Sequence, residues 1–281
     1  SIFGIVATLF ERWLLHKFGG SIQQGFYGLS YQIGSICILF TSAMSSLMMR
    51  EFAISYKKNA IDEMAQMFRR YVPLLYTIAA FFACFVSVQA EKITFIFGGN
   101  QFKDAAIPVM IMALYPIHQT YGQLNSTIFL ATGQTKLFST ISLIFILIGL
   151  PMIYFLLAPN SNLGLNSGAT GLAIKMVLIQ FIAVNVQLFY HSRFLKISFF
   201  KYFAHQLISV GFIMSTAVVA RMIIKIIPVL HENIIGNVIL AGLVYCLLVL
   251  VFMVYFTRIF GLRKVDMNLC VLKVRKMLIP E

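Results

Sequence analysis

A chain of 281 residues that is 60% hydrophobic and only 11% charged, with a mean hydropathy of +0.88, lies outside the range of soluble globular domains. Its net charge of +13 requires no nucleic-acid partner, because membrane proteins collect Lys and Arg in their cytoplasmic loops. Lipid admits helices of about 20 mostly apolar residues, which satisfy their own backbone hydrogen bonds. The composition therefore predicts an all-α, polytopic bundle of membrane-spanning helices.

Apolar runs of that length divide the chain into seven predicted spans and the end of an eighth. The eighth is SIFGIVATLFERWLL at residues 1–15, which is too short to cross a bilayer, so we expect its beginning to precede Ser1. Glu11 and Arg12 then lie toward the far end of that span. The seven complete spans are predicted at residues 26–49, 71–90, 106–130, 137–158, 169–190, 204–227 and 236–257.

The segments between the predicted spans differ in charge. Fifteen of the 22 Lys and Arg residues lie in one alternating set of segments and five in the other, while Lys175 and Arg221 fall inside spans. Basic residues accumulate on the cytoplasmic side of a membrane. We therefore expect a cytoplasmic C-terminus and an outer location for the end that holds Glu11. The basic set consists of residues 50–72, 131–137, 191–202 and 258–281.

One basic segment, SYKKNAIDEMAQMFRRY, has its own apolar face. Ile61, Met64, Phe68 and Tyr71 recur at helical spacing, with charged residues on the other side. Such a helix lies on the membrane surface and contacts lipid, or it is an ordinary solvated connector. The sequence leaves both interpretations open.

Polar residues inside the predicted spans are the main functional signal, because a charged side chain near the bilayer centre usually faces a bundle interior or a watery cavity. Lys175 has no acidic residue nearby in sequence, so it serves a polar pathway or extends toward the outer surface. His118, Tyr121 and Asn125 form one helical stripe after Pro116, which is expected to kink the helix. That stripe lines a cavity or hydrogen-bonds to neighbouring helices.

A second polar face follows Glu11 along the next span, where small residues favour close helix packing and Gln32 is long enough to reach a lumen. The chain has no phosphate-binding loop and no GxSxG motif, and its Cys residues lack paired spacing. We therefore predict no catalytic residue, metal site or cofactor. The candidate substrate or ion pathway consists of Glu11, Arg12, Gln32, His118, Tyr121, Asn125 and Lys175.

Three stretches resemble a known family of transporters. ERWLLHKFGGSIQQGFYGLSYQIGSICILFTSAMSSLMMREFA is similar to the acid–base pair, short loop and Gly-x-Tyr helix of Wzx-type polysaccharide (O-antigen) flippases in the multidrug/oligosaccharidyl-lipid/polysaccharide exporter superfamily. FIFGGNQFKDAAIPVMIMAL resembles the family's outer-loop FG motif, and ATGQTKL resembles its short cytoplasmic Gly-Lys connector. Relatives often carry Arg where this chain has Gln32, so a cation from that position is in doubt.

The resemblance implies a two-lobe transporter whose first lobe precedes this chain. Residues 1–190 would form the second lobe, residues 191–257 an added helix pair, and residues 258–281 a basic cytoplasmic tail. It also implies a function in the inner membrane, which is the flipping of an undecaprenyl-diphosphate-linked oligosaccharide to the outer leaflet by alternating access. Membrane lipid and polysaccharide assembly proteins would be further partners. Glu11 would contact a gate or coupling ion, and Arg12 would pair with it or bind diphosphate.

Two other functions stay open at this point. A drug/cation antiporter of the same superfamily would be expected to carry acidic residues in mid-span, and none is clearly central here. A membrane-embedded glycan polymerase or ligase would need a large outer loop with catalytic and basic residues. The predicted outer loops are short, and their acidic and His residues are scattered over different loops.

Overall fold

The computed structural model describes residues 2–226, 233–257 and 260–261, and within these ranges the regular structure is entirely helical. This confirms the predicted all-α class. Two 3₁₀ turns, Asn100–Ala105 and Asn160–Asn162, lie in the connections. The helices are α1 Ile2–Ile36, α2 Leu39–Lys57, α3 Ile61–Val88, α4 Ala90–Gly98, α5 Ala106–Met112, α6 Tyr115–Ala131, α7 Thr135–Leu157, α8 Gly168–Phe194, α9 Phe199–Lys225 and α10 Ile234–Tyr255.

Five of these helices, α3, α7, α8, α9 and α10, are long and apolar enough to cross a membrane. A sixth candidate is the pair formed by α1 and α2, whose axes meet at 55° across a short break. The described residues therefore contain five or six candidate spans, fewer than the seven or eight predicted. They support a multi-pass membrane protein.

The difference arises where predicted spans are interrupted. The predicted span 106–130 is divided into two helices. Helix α5 ends just before Ala113, and α6 begins just after Leu114. Pro116 lies in the first turn of α6, where its missing backbone N–H costs nothing, but it cannot continue the hydrogen-bond ladder of α5. The expected kink at Pro116 is therefore confirmed as a helix break.

Helix α1 also contains a break, at Gly20. This residue has φ +72°, a left-handed conformation that Gly adopts without steric cost. Leu14 and Tyr27 share one buried core cluster. Gly20 therefore divides α1 into two segments that contribute to the same buried core.

The start of α3 packs on protein. Met64 and Phe68 are fully buried in a core cluster that also contains Met48 and Phe52 of α2. The apolar face predicted for this basic segment therefore packs against a neighbouring helix, while its charged residues Asp62, Glu63, Arg69 and Arg70 are exposed. Burial of such apolar side chains contributes about 1.5–3 kcal/mol each.

Helix packing brings the basic connections to one end of the bundle. The Tyr56 and Phe194 rings, next to the α2–α3 and α8–α9 turns, lie 6.3 Å apart. At the other end, Arg221 of α9 contacts Glu91 of α4. Helix α9 packs along α3, and α10 packs on α9 and α4. Of the predicted tail at 258–281, only residues 260–261 lie within the described part of the chain.

Candidate functional site

A buried ion pair joins α1 to α8. The Lys175 ammonium donates a hydrogen bond to Oε1 of Glu11, and the two residues are only 6% and 7% exposed. Lys175 lies seven residues into α8, about 10 Å along the helix axis. Its side chain turns inward to Glu11, so it does not extend toward the surface. The partner is 164 residues away in sequence, which explains why no acidic neighbour was visible.

Gly149 of α7 makes room for this lysine. A Cβ atom at Gly149 would lie 2.9 Å from Cε of Lys175 and 3.3 Å from its Nζ. A larger residue would therefore force the lysine side chain to move. The absence of a side chain at this position allows the aliphatic part of Lys175 to lie against the α7 backbone while its charged end reaches Glu11.

A second contact fixes α1 against the start of α8. Oε1 of Gln23 accepts a hydrogen bond of 2.8 Å from the backbone N–H of Ala169. The first N–H groups of a helix have no partner within the helix, so this side chain satisfies one of them. Gly168, which precedes Ala169, has φ +52°. A Cβ atom at Gly168 would lie 2.4 Å from the same Gln23 oxygen. The two contacts together set the position of α1 along α8.

The ion pair lies in the wall of a cavity of about 340 Å³ between α1, α6, α7 and α8. This volume is at the lower end of the range of ligand pockets, about 300–1,000 Å³. Helix α7 supplies a largely apolar wall that includes two Phe rings. The polar lining consists of Glu11, Gln119, Gln123, Ser126, Ser142, Lys175, Gln180 and Gln187.

Two amide oxygens at this cavity lack hydrogen-bond partners. Oε1 of Gln123 and Oε1 of Gln187 are buried, and no described residue donates to either. Buried polar atoms without a partner are rare in proteins, and each has a cost of about 1–3 kcal/mol. The hydroxyl of Ser126 cannot help, because it donates to the backbone oxygen of Gln123 at 2.7 Å. Both residues line the cavity, but the two oxygens themselves are covered by protein atoms in this conformation.

The predicted stripe on α6 points elsewhere. Nδ2 of Asn125 donates to the backbone oxygen of Val184 at 3.1 Å, and the fully buried Tyr121 packs edge-on against Tyr76 at 5.2 Å. The His118 ring packs against an α8 side chain, that of Phe181, at 4.9 Å. These three candidate residues lie between helices. Their neighbours Gln119 and Gln123 line the cavity instead.

Two other candidate residues lie outside the cavity. Arg12 is exposed and, within the described ranges, makes no ion pair with Glu11 or any other acid. It borders a shallow surface groove formed by the first turns of α1. Gln32 is also exposed, on the second segment of α1. Of the seven candidate residues, the structure brings only Glu11 and Lys175 together at the cavity.

Sequence reasoning missed the contribution of α8. Gln180 and Gln187 line the cavity on the same side of that helix as Lys175. Steps of four residues, from Lys175 through Ile179 and Ala183 to Gln187, keep successive residues on one helical face. Polar residues at such intervals in an apolar helix could have indicated from the sequence that this face of α8 lines a cavity.

A larger pocket of about 690 Å³ lies at the opposite end from the basic connections. Arg221 donates to the backbone oxygen of Val88 at 2.8 Å and to Oε2 of Glu91 at 2.9 Å. Partial burial, with a smaller contribution from the Arg221 charge, lowers the pKa of the Lys92 ammonium. Charges of both signs surround this pocket among exposed helix ends, so its ion pairs are screened by solvent.

Comparisons of the chain with protein-family models, with curated proteins and with solved structures find no match. The described residues contain no group of three or more side chains placed to hold a metal ion. With amides, hydroxyls and one ion pair, the cavity between α1, α6, α7 and α8 can bind a small polar ligand by hydrogen bonds. Its position among apolar spans makes it the candidate functional site.

The two faces of α6 should differ in their access to water. In a background with all four native Cys residues replaced, we expect Gln123→Cys and Ser126→Cys to react with a water-soluble methanethiosulfonate reagent. His118→Cys and Asn125→Cys should react much more slowly, because helices α3 and α8 cover them. The measurement is the modification rate in membranes. Equal rates at His118 and Gln123 would contradict the orientation of α6.

Proposed function

We propose that this protein moves a lipid-linked (undecaprenyl diphosphate) oligosaccharide across the cytoplasmic membrane for surface polysaccharide assembly, as a flippase rather than an enzyme. The observation that supports the proposal best is the polar cavity, with its buried ion pair, inside a bundle of long apolar helices. The sequence resemblance to polysaccharide flippases agrees with it. The proposed location is the inner membrane, with the C-terminus in the cytoplasm.

The physical requirement for such transport is a polar route through hydrocarbon. Moving an unpaired hydroxyl or amide from water into an apolar phase costs about 2–7 kcal/mol, so a glycan cannot cross lipid unaided. Amide groups in the cavity replace the hydrogen bonds that the glycan makes with water outside the membrane. The polyprenyl tail needs no such route and stays in lipid. With a negative interior, outward movement of the diphosphate is favoured by about 2.3 kcal/mol per charge per 100 mV.

We assign the Glu11–Lys175 pair to the gate of an alternating-access cycle. The pair joins α1 to α8, so these two helices cannot separate at this point unless the pair breaks. In the proposed transporter, residues 1–190 form the second of two lobes and residues 191–257 an added helix pair. Both helices of the pair belong to this lobe, so the gating movement we propose is a shift of α1 against α8 within it, which would accompany the rocking of one lobe against the other.

A drug/cation antiporter is the second candidate, and one observation favours it. Glu11 is a buried carboxylate inside the bundle, where such an exporter would bind a cation or proton. In that case Lys175 would be displaced by the cation. Loss of drug resistance without loss of surface glycan would support the antiporter, and the reverse result would support the flippase.

Glu11→Gln tests the proposal directly. In cells that depend on the full-length protein for surface polysaccharide, we expect this variant to lower surface glycan by about tenfold, the effect of losing about 1.4 kcal/mol of a critical interaction. The measurement is surface glycan at matched amounts of membrane protein. Glu91→Gln is the control, because its carboxylate is exposed and pairs at the surface. Normal surface glycan in the Glu11 variant would refute the proposal.

A further inference from the structure

The charges that line the internal cavity cancel each other. Lys175 and Glu11 are its only charged lining residues among those described, and they bind each other. An anion that entered would find no uncompensated cation, and it would lie close to the Glu11 carboxylate. The electrostatics therefore favour a neutral ligand.

The amides define what kind of neutral ligand fits. Four Gln side chains face the cavity, and an amide both donates and accepts hydrogen bonds. Oε1 of Gln119 already accepts from the Tyr115 hydroxyl at 3.2 Å, which leaves its N–H groups as donors. Oε1 of Gln123 and of Gln187 remain acceptors without a donor. A hydroxyl matches both kinds of group, whereas an ionised phosphate offers acceptors alone.

The α7 wall complements an apolar face. Phe138 and Phe145 line the cavity opposite the amides of α6 and α8. A sugar ring has hydroxyls around its edge and C–H groups on its faces, so it can hydrogen-bond to amides while one face lies on an aromatic ring. The volume of about 340 Å³ suits a small ring-sized ligand better than a whole oligosaccharide.

We infer that this cavity is a binding site for a neutral, hydroxyl-rich sugar ring and that it excludes anionic groups. Its identification with one sugar residue of the transported glycan rests on the proposed function. Under that function, the diphosphate is held elsewhere while the cavity recognises the glycan. The binding chemistry itself depends only on the amides, the paired charges and the aromatic wall.

The test is protection of a reporter cysteine in the purified full-length protein in lipid nanodiscs. Ser142→Cys, in a background without native Cys, places a thiol in the cavity lining. Its rate of modification by a methanethiosulfonate reagent is measured with glucose, galactose, mannose, rhamnose or N-acetylglucosamine, and with glucuronate or inorganic pyrophosphate. We expect at least one neutral sugar to slow the reaction several-fold, and neither anion to do so.

Two variants make the result specific. Gln187→Leu should weaken protection by the effective sugar by about tenfold, as expected for lost hydrogen bonds, and Gln101→Leu in an exposed turn should not. Glu11→Gln frees the Lys175 charge and should make pyrophosphate protective. Protection of the unmodified cavity by glucuronate or pyrophosphate would overturn the inference, and so would a lack of protection by every neutral sugar.

The same protein preparation separates this inference from the proposed function. Reconstituted vesicles report whether lipid-linked oligosaccharide changes leaflet, independently of the thiol assay. Protection by a neutral sugar without glycolipid movement would support the sugar site and refute the flippase. Glycolipid movement with protection by pyrophosphate alone would support the flippase and refute the neutral-sugar site.

Discussion

Replacing Lys175 with Met, or Glu11 with Leu, is expected to destabilise the protein by about 3–5 kcal/mol, because each change leaves one charge buried without a partner. Insertion scales for an unpaired charge in a membrane helix give a similar cost, about 2.5–3.5 kcal/mol. The measurement is unfolding of the purified full-length protein in mixed micelles with increasing dodecyl sulfate. The single variants should unfold at clearly lower detergent fractions.

The double variant Glu11→Leu/Lys175→Met should recover most of that stability, because apolar side chains of similar size often replace a buried ion pair without loss. Transport should remain lost, since the polar pair is gone. The matched controls for the single variants are Glu91→Leu and Arg221→Met, whose replaced side chains are 72% and 44% exposed. Breaking that exposed pair should cost no more than about 1 kcal/mol. Equal destabilisation by the single variants of the two pairs would show that burial of the Glu11 pair is unimportant.

The helices were largely predictable from the sequence, because membrane spans follow from local length and hydropathy. The predicted spans at 71–90, 137–158, 169–190, 204–227 and 236–257 each correspond to one observed helix. The interruption before α6 was also predictable, since Pro116 acts on its own helix. These features depend on neighbouring residues in sequence, so they need no knowledge of the tertiary structure.

The site was only partly predictable, because it depends on contacts between distant helices. Lys175 and Glu11 were both recognised as costly in lipid, yet their pairing links residues far apart in the chain. Polar residues surround much of α6, so its sequence alone could not show which side faces a cavity. The rotation of α6 is set by its neighbours, with Tyr121 packed on Tyr76 and Gly122 close to Gln180. Helix packing therefore decides which polar residues become functional.

Gly149→Leu is expected to disrupt the site without removing any polar group. The new side chain would occupy the space of Lys175 Cε and Nζ, which lie 2.9 and 3.3 Å from a Cβ at this position. Overpacking of this kind costs about 1–3 kcal/mol, and here displacement of the ammonium also weakens the ion pair. We expect surface glycan to fall about as far as in Glu11→Gln, while the protein still reaches the membrane.

Gly211→Leu is the matched control for this variant. Gly211 lies in another candidate span, α9, where it is exposed and a Cβ would meet nothing within 4 Å. Leu is also a better helix former than Gly, which is about 0.8–1.0 kcal/mol less favourable than Ala in a helix, so stability should be kept or improved. Full transport is expected. Normal transport by Gly149→Leu would show that Lys175 tolerates displacement. The ion pair would then have no part in gating, because the cavity would function without the geometry that holds Glu11 and Lys175 together.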